Sequence, residues 1–116
     1  MLRVFRVSCI DIRDAAATII EYIAGLDWPA FARSKLHQDA VIREFLVIGE
    51  AANRIPEKVR NQYGHILWHK MIGMRNRMVH GYDQISLETV WHTASHFIPE
   101  VKRQFDELLA SPELQQ

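Results

Sequence analysis

At 116 residues the chain has the length of one domain and can bury only a modest core. Its 48% hydrophobic and 24% charged residues are ordinary for a folded globular protein, which excludes a disordered or low-complexity polypeptide. The 14 basic and 14 acidic residues cancel, so no strong global field draws it toward a polyanion or a membrane surface.

Cys9 is the only cysteine, so an intrachain disulfide is excluded and a reducing cytoplasm is expected. Arg3 and Arg6 break up the apolar residues at the start, leaving no run typical of a secretory signal. No stretch reaches the roughly 18 consecutive apolar residues of a membrane span.

In chain order, Ile12, Ala16, Ile19, Ile23 and Leu26 carry helical spacing and predict the buried stripe of a first helix, closed by Gly25 and Pro29. The residue before that proline, Trp28, is expected outside the helical region, and residues 29–35 have room for one short turn of helix. Val41, Phe45, Ile48, Ala52 and Ile55 predict a second long helix, in which Gly49 and Ala51-Ala52 allow a neighbouring helix to come close. Pro56 fits the first position of a short third helix that stops near Gly64.

A fourth helix is expected over 66–80, with Leu67, Met71, Met74 and Met78 as its core stripe. Residues 81–84 read as a turn, and Ser86 as the N-cap of a fifth helix. That helix buries Leu87, Val90, Ala94, Phe97, Val101, Phe105 and Leu108, with a kink or break near Ile98 because of Pro99. Residues 111–116 are expected to fray. The fold class is therefore all-α: an up-down bundle of about five helices, one domain over 1–116, with pairing into a symmetric homodimer expected of so small a core.

The basic residues are unevenly placed. Residues 54–80 hold Arg54, Lys58, Arg60, Lys70, Arg75 and Arg77 against Glu57 alone, a net +5, while residues 1–53 carry −1 and 81–116 carry −4. This segment can hold a polyanion locally, or it is simply a solvated helix face. It ends in Gly73-Met-Arg-Asn-Arg-Met-Val-His-Gly-Tyr82, which sets two arginines, an amide, an imidazole and a phenol within ten residues.

A guanidinium grips phosphate with a planar fork, and an imidazole exchanges protons near neutrality. The set therefore points to phosphodiester chemistry. On an ideal helix Asn76 and His80 share a face, whereas Arg75 and His80 lie about 140° apart. They converge only if the helix ends at His80 before Gly81, or if two copies meet across a dimer axis. The structural alternative is that Arg75 and Asn76 make ordinary hydrogen bonds and His80 faces the negative helix end.

Arg75-Asn-Arg-Met-Val-His80-Gly-Tyr82 resembles the motif of the HepT-like toxins, a branch of the HEPN superfamily of helical ribonuclease domains. The flanks are similar too: Gln38-Asp-Ala-Val-Ile-Arg43, Ile48-Gly-Glu-Ala-Ala52, Trp68 followed by Met71-Ile-Gly-Met74, and Val90-Trp91 leading to Pro99. The likeness covers residues 11–110.

The resemblance implies the toxin of a type VII-like toxin–antitoxin pair, a metal-independent endoribonuclease that cleaves RNA through its 2′-hydroxyl. It assigns catalysis to Arg75 and His80, with Asn76, Arg77 and Glu50 in support. It also implies a nucleotidyltransferase antitoxin, MntA-like, that neutralises the toxin by AMPylation of Tyr82; a structural Tyr82 is the alternative. No cofactor is implied.

Other readings are weaker. His65 with His69 and His92 with His96 have the spacing that clamps zinc on a helix, but nothing in sequence completes either site. Cys9 sits in an apolar segment without a histidine neighbour and is not read as a nucleophile. The rival function is a non-catalytic helical dimer holding a nucleotide or a partner through Arg75 and His80. A structural subunit of a larger complex is a third possibility, supported only by the amphipathic helices.

Overall fold

The computed structural model describes residues 2–80 and 85–115, together with the backbone but not the side chain of His80. The expected turn over 81–84, including Gly81 and Tyr82, lies outside the described residues.

The first helix, α1, runs Leu2–Ile23 and starts well before the expected stripe. Phe5 and Cys9 extend the spacing of Ile12, Ala16 and Ile19 toward the N-terminus, and all five are buried. Its end is set by Gly25, whose φ of +79° is a conformation that a side chain disfavours. Leu26 thus falls beyond the helix.

Asp27 caps the single turn α2 (Trp28–Ala32), its carboxylate accepting the Ala30 N–H at 3.0 Å. Trp28 is helical after all. Pro29 sits within the first turn, where its missing N–H is not needed. Phe31, fully buried, packs against Trp91 at a centroid distance of 5.2 Å and ties this turn to the last helix.

Ser34 caps α3 (Lys35–Arg54) by accepting the His37 N–H. The Gln38 amide reaches back to donate to the carbonyls of Phe31 and Ala32 at 2.9 and 3.1 Å, satisfying the end of α2. Pro56 is the cap of α4 (Glu57–Gln62), one position outside its expected place. The last turn of connection is tight, with the Trp68 N–H donating to the Ile66 carbonyl at 2.9 Å.

That tight turn corrects the expected core stripe of α5, which runs Trp68–His80. Leu67 precedes the helix and is 55% exposed, while Trp68 is 4% exposed. The indole donates to the Tyr63 carbonyl at 3.1 Å and meets Phe105 edge-on at 5.6 Å, so it takes the core place assigned to Leu67.

Ser86 caps α6 (Leu87–His92) as expected. Instead of a break near Ile98, the chain passes through a π turn (Thr93–Phe97) into α7 (Ile98–Ala110). Pro99 offers no N–H to the carbonyl four residues back, and the Ile98 N–H reaches Thr93, five residues back. Helicity survives with one widened turn.

The C-terminal residues do not fray as expected: Leu114, in a 3-10 turn (Pro112–Leu114), is fully buried. Its carbonyl accepts Arg6 Nε at 3.0 Å, and Tyr63 Oη donates to Glu113 Oε1 at 3.0 Å. Contacts with α1 and with Tyr63 at the end of α4 add to the local hydrogen bonds that hold this segment in place.

The long elements alternate in direction. The helix α1 packs between α3 and α7, and α3 packs on its other side against α5. One continuous apolar cluster runs through them. Each large aliphatic or aromatic side chain buried there contributes about 1.5–3 kcal/mol. No strand occurs among the described residues, and no described helix is long and apolar enough to cross a membrane.

Candidate active site

The helix α5 carries Arg75, Asn76, Arg77 and His80 in its C-terminal half. Its inner face is Trp68, Met71, Met74 and Met78, all buried. Arg75 emerges beside that stripe on the flank facing α3. There Gly49 leaves the space for it: a β-carbon at Gly49 would lie 2.1 Å from Arg75 Cβ and 2.8 Å from Cγ. The arginine stem therefore lies on bare backbone of α3.

Two contacts and one unpartnered donor define the guanidinium. Arg75 Nη1 donates to Asn76 Oδ1 at 3.0 Å. Arg75 Nη2 approaches Glu50 Oε1 at 3.9 Å, a single loose contact rather than the bidentate pair that the sequence allowed. Arg75 Nε is buried and has no hydrogen-bond partner among the described residues. A buried unpaired donor on a cation is costly and calls for an acceptor. The side chain is 29% exposed, so an anion can reach its outer edge.

Glu50, Arg75 and Asn76 are thus brought together; Arg77 is not part of the group. It leaves α5 on the opposite flank, exposed, near the start of α6. The helix continues unbroken to His80. Its Cα position therefore stays about 140° around the axis from that of Arg75, as on an ideal helix.

The basic segment is partly neutralised by its neighbours. Arg54 pairs with Asp11 at 2.7 Å, Arg60 donates to the Ile55 carbonyl, and Lys70 lies 4.2 Å from the centre of the Phe97 ring.

The other candidates do not form sites. His65 lies in the turn before α5, so it shares no helix with His69. The rings of His92 and His96 stack at 4.3 Å. No group of three or more His, Cys, Asp or Glu among the described residues is placed to hold a metal ion. Cys9 is fully buried, and burial pushes its thiol up to about 12, far from thiolate chemistry.

The sequence reading missed the seat that Gly49 provides for Arg75. It identified a close approach at Gly49, but which helix approaches is a tertiary fact.

The fold and the site define a small all-α bundle that sets an arginine, an amide and a carboxylate at one helix–helix seam. The family model described as "Ribonuclease HepT-like" matches residues 12–108, and the chain belongs to that family. It is 37% identical over 99 residues to "Putative RNase MJ0125" of Methanocaldococcus jannaschii, covering 85% of each chain. It is 33% identical over 98 residues to "Probable ribonuclease HepT" of Thermococcus cleftensis, covering 84% of this chain and 89% of that one. No solved structure matches the chain.

Proposed function

We propose that this chain is a metal-independent endoribonuclease, the toxin of a type VII-like toxin–antitoxin pair. The observation that carries the reading is the Arg75 guanidinium, seated on Gly49, partly exposed and holding one buried donor without an acceptor among the described residues. Membership of the HepT-like ribonuclease family supports RNA as the substrate.

In this mechanism the 2′-hydroxyl of RNA attacks the adjacent phosphorus while the 5′-oxygen leaves. The products are a 2′,3′-cyclic phosphate and a 5′-hydroxyl. Arg75 steadies the charge that grows on the non-bridging oxygens. His80 moves the proton, since a free imidazole, with a pKa of about 6.5, serves in both directions. Asn76 and Glu50 hold the guanidinium in place, and Arg77 binds substrate on the opposite flank of α5. The reaction needs a base and an acid while each chain offers one His80. A two-fold dimer supplies the second, one imidazole neutral and its mate protonated.

Tyr82 is the proposed site of AMPylation by an MntA-like nucleotidyltransferase. Phosphodiester-linked AMP two residues from His80 adds a negative charge and bulk where RNA must bind.

The test is cleavage of RNA by the purified chain in EDTA, with the product ends identified. A 2′,3′-cyclic phosphate that persists under chelation, and is lost in His80→Ala and Arg75→Ala, is the expected result. Full activity in either variant, or loss on chelation, overturns the mechanism. DNA lacks the attacking hydroxyl and stays intact. Mass spectrometry of the chain co-expressed with such a transferase tests Tyr82. A Tyr82→Phe variant that is still fully neutralised rejects the modification. An inert chain that binds nucleotide identifies the non-catalytic dimer instead.

A further inference from the structure

Arg77 follows Arg75 by two residues, about 200° around the helix, so one arginine turns toward α3 and the other toward the start of α6. Between α5 and α6 the surface sinks into an open depression of about 170 Å³, lined by Met74, Arg77, Ile85, Ser86 and Thr89. The chemistry of this lining is divided. Met74 is buried and Ile85 half-buried, giving an apolar floor.

The rim is polar and has capacity to spare. Arg77 is exposed and makes no ion pair or hydrogen bond among the described residues, unlike Arg54, Arg60 and Arg75. Ser86 Oγ accepts the Thr89 N–H at 3.4 Å, which leaves the hydroxyl proton free to donate. Thr89 Oγ1 has no partner among the described residues: the Thr89 backbone N–H goes to Ser86 Oγ and its carbonyl accepts the Thr93 hydroxyl, leaving the side chain unused.

A bare phosphate is poorly matched to such a place, because the apolar floor would strip its water and give nothing in return. A flat heteroaromatic ring is matched on every side: apolar on its faces, polar along its edge, and able to stack under a guanidinium plane. The position also fits, because a strand with a phosphate at Arg75 crosses the exposed side of α5 to reach it.

We infer that this depression receives one unstacked base of the RNA strand engaged at Arg75. Arg77 stacks on the outer face of the base, and the Ser86 and Thr89 hydroxyls read its edge. The identity of the strand rests on the ribonuclease reading above. The pocket makes binding, and therefore cleavage, selective for the base at a position adjoining the scissile phosphate.

The test uses the whole chain and short, uncleavable 2′-O-methyl homo-oligomers of A, C, G and U, with binding followed by fluorescence anisotropy. Wild type binds one of the four about tenfold more tightly than the weakest, the effect expected of one stacked and hydrogen-bonded base. Arg77→Lys keeps the charge but not the plane, and Thr89→Val keeps the shape but not the hydroxyl. At least one of them flattens the preference while the salt dependence of binding is unchanged. Equal or undetectable binding of the four by wild type, or a preference retained in both variants, overturns the inference.

Cleavage of unmodified RNA is scored separately. Base-selective binding without cleavage keeps the pocket and rejects the ribonuclease reading; cleavage without base-selective binding does the reverse.

Discussion

Gly49 is the seat of Arg75: the arginine Cβ occupies the place where a β-carbon of residue 49 would stand, only 2.1 Å away, and the Met71 carbonyl lies 3.0 Å from the same point. With Arg75 Cγ at 2.8 Å, two of the three close neighbours are the stem of the candidate catalytic arginine, and the third is backbone one turn before it. The helix carrying the site is thus positioned by the absence of a side chain on its neighbour.

Gly49→Ala therefore pushes α5 away from α3. The contact is with Cβ and backbone, which cannot swing aside, so a loss of about 1–3 kcal/mol is expected from overpacking. Gly73→Ala is the control on the same helix, since its β-carbon meets nothing within 4 Å. That change gains about 0.5–1 kcal/mol from helix propensity. Urea midpoints of the two variants should move in opposite directions, and only Gly49→Ala should lower RNA cleavage.

Glu50 matters to the site more than to stability. Its contact with Arg75 is 3.9 Å long and the two side chains are 58% and 29% exposed, so Glu50→Gln should change unfolding free energy by less than about 1 kcal/mol. Cleavage should still decline, because the guanidinium loses one of its two tethers. Arg75→Lys, which removes the planar fork, should lower kcat by about 10²–10³-fold, the usual effect of losing one transition-state donor. Equal kcat in Arg75→Lys and wild type would reject the role given to the fork.

Cys9 should be invisible to thiol reagents in the native protein. Burial raises its pKa from 9.0 to about 12, so folding favours the neutral thiol. Because the folded value lies above the unfolded one, this contribution is whole below about pH 9 and is lost as pH climbs toward about 12. Native protein should not react with a disulfide reagent at pH 8 until denaturant is added. Cys9→Ala should lose less stability than wild type over that alkaline range, each measured against its own value at pH 7.

Leu114 should behave as a core residue despite standing two from the C-terminus. It is fully buried, and Leu114→Ala is expected to cost about 2–5 kcal/mol, read as a fall in Tm. Tyr63 reports on the same docking. Its phenol pKa is raised, first by burial and then by its hydrogen bond to Glu113 and that carboxylate's charge. Ultraviolet titration of Glu113→Gln should show an easier ionisation of Tyr63.

The amino-acid sequence by itself determined the long helices, because 3.6-residue periodicity, the Ser86 cap and the Gly25 stop are local properties. The ordered set from Arg75 to Tyr82 likewise carried the family. What the tertiary structure alone decided is which faces meet: that Gly49 receives Arg75, that Trp68 rather than Leu67 enters the core, that the π turn absorbs Pro99, and that the last turn docks on α1. A helix wheel ranks the faces of one element, whereas these outcomes depend on atoms distant in sequence that compete for the same space.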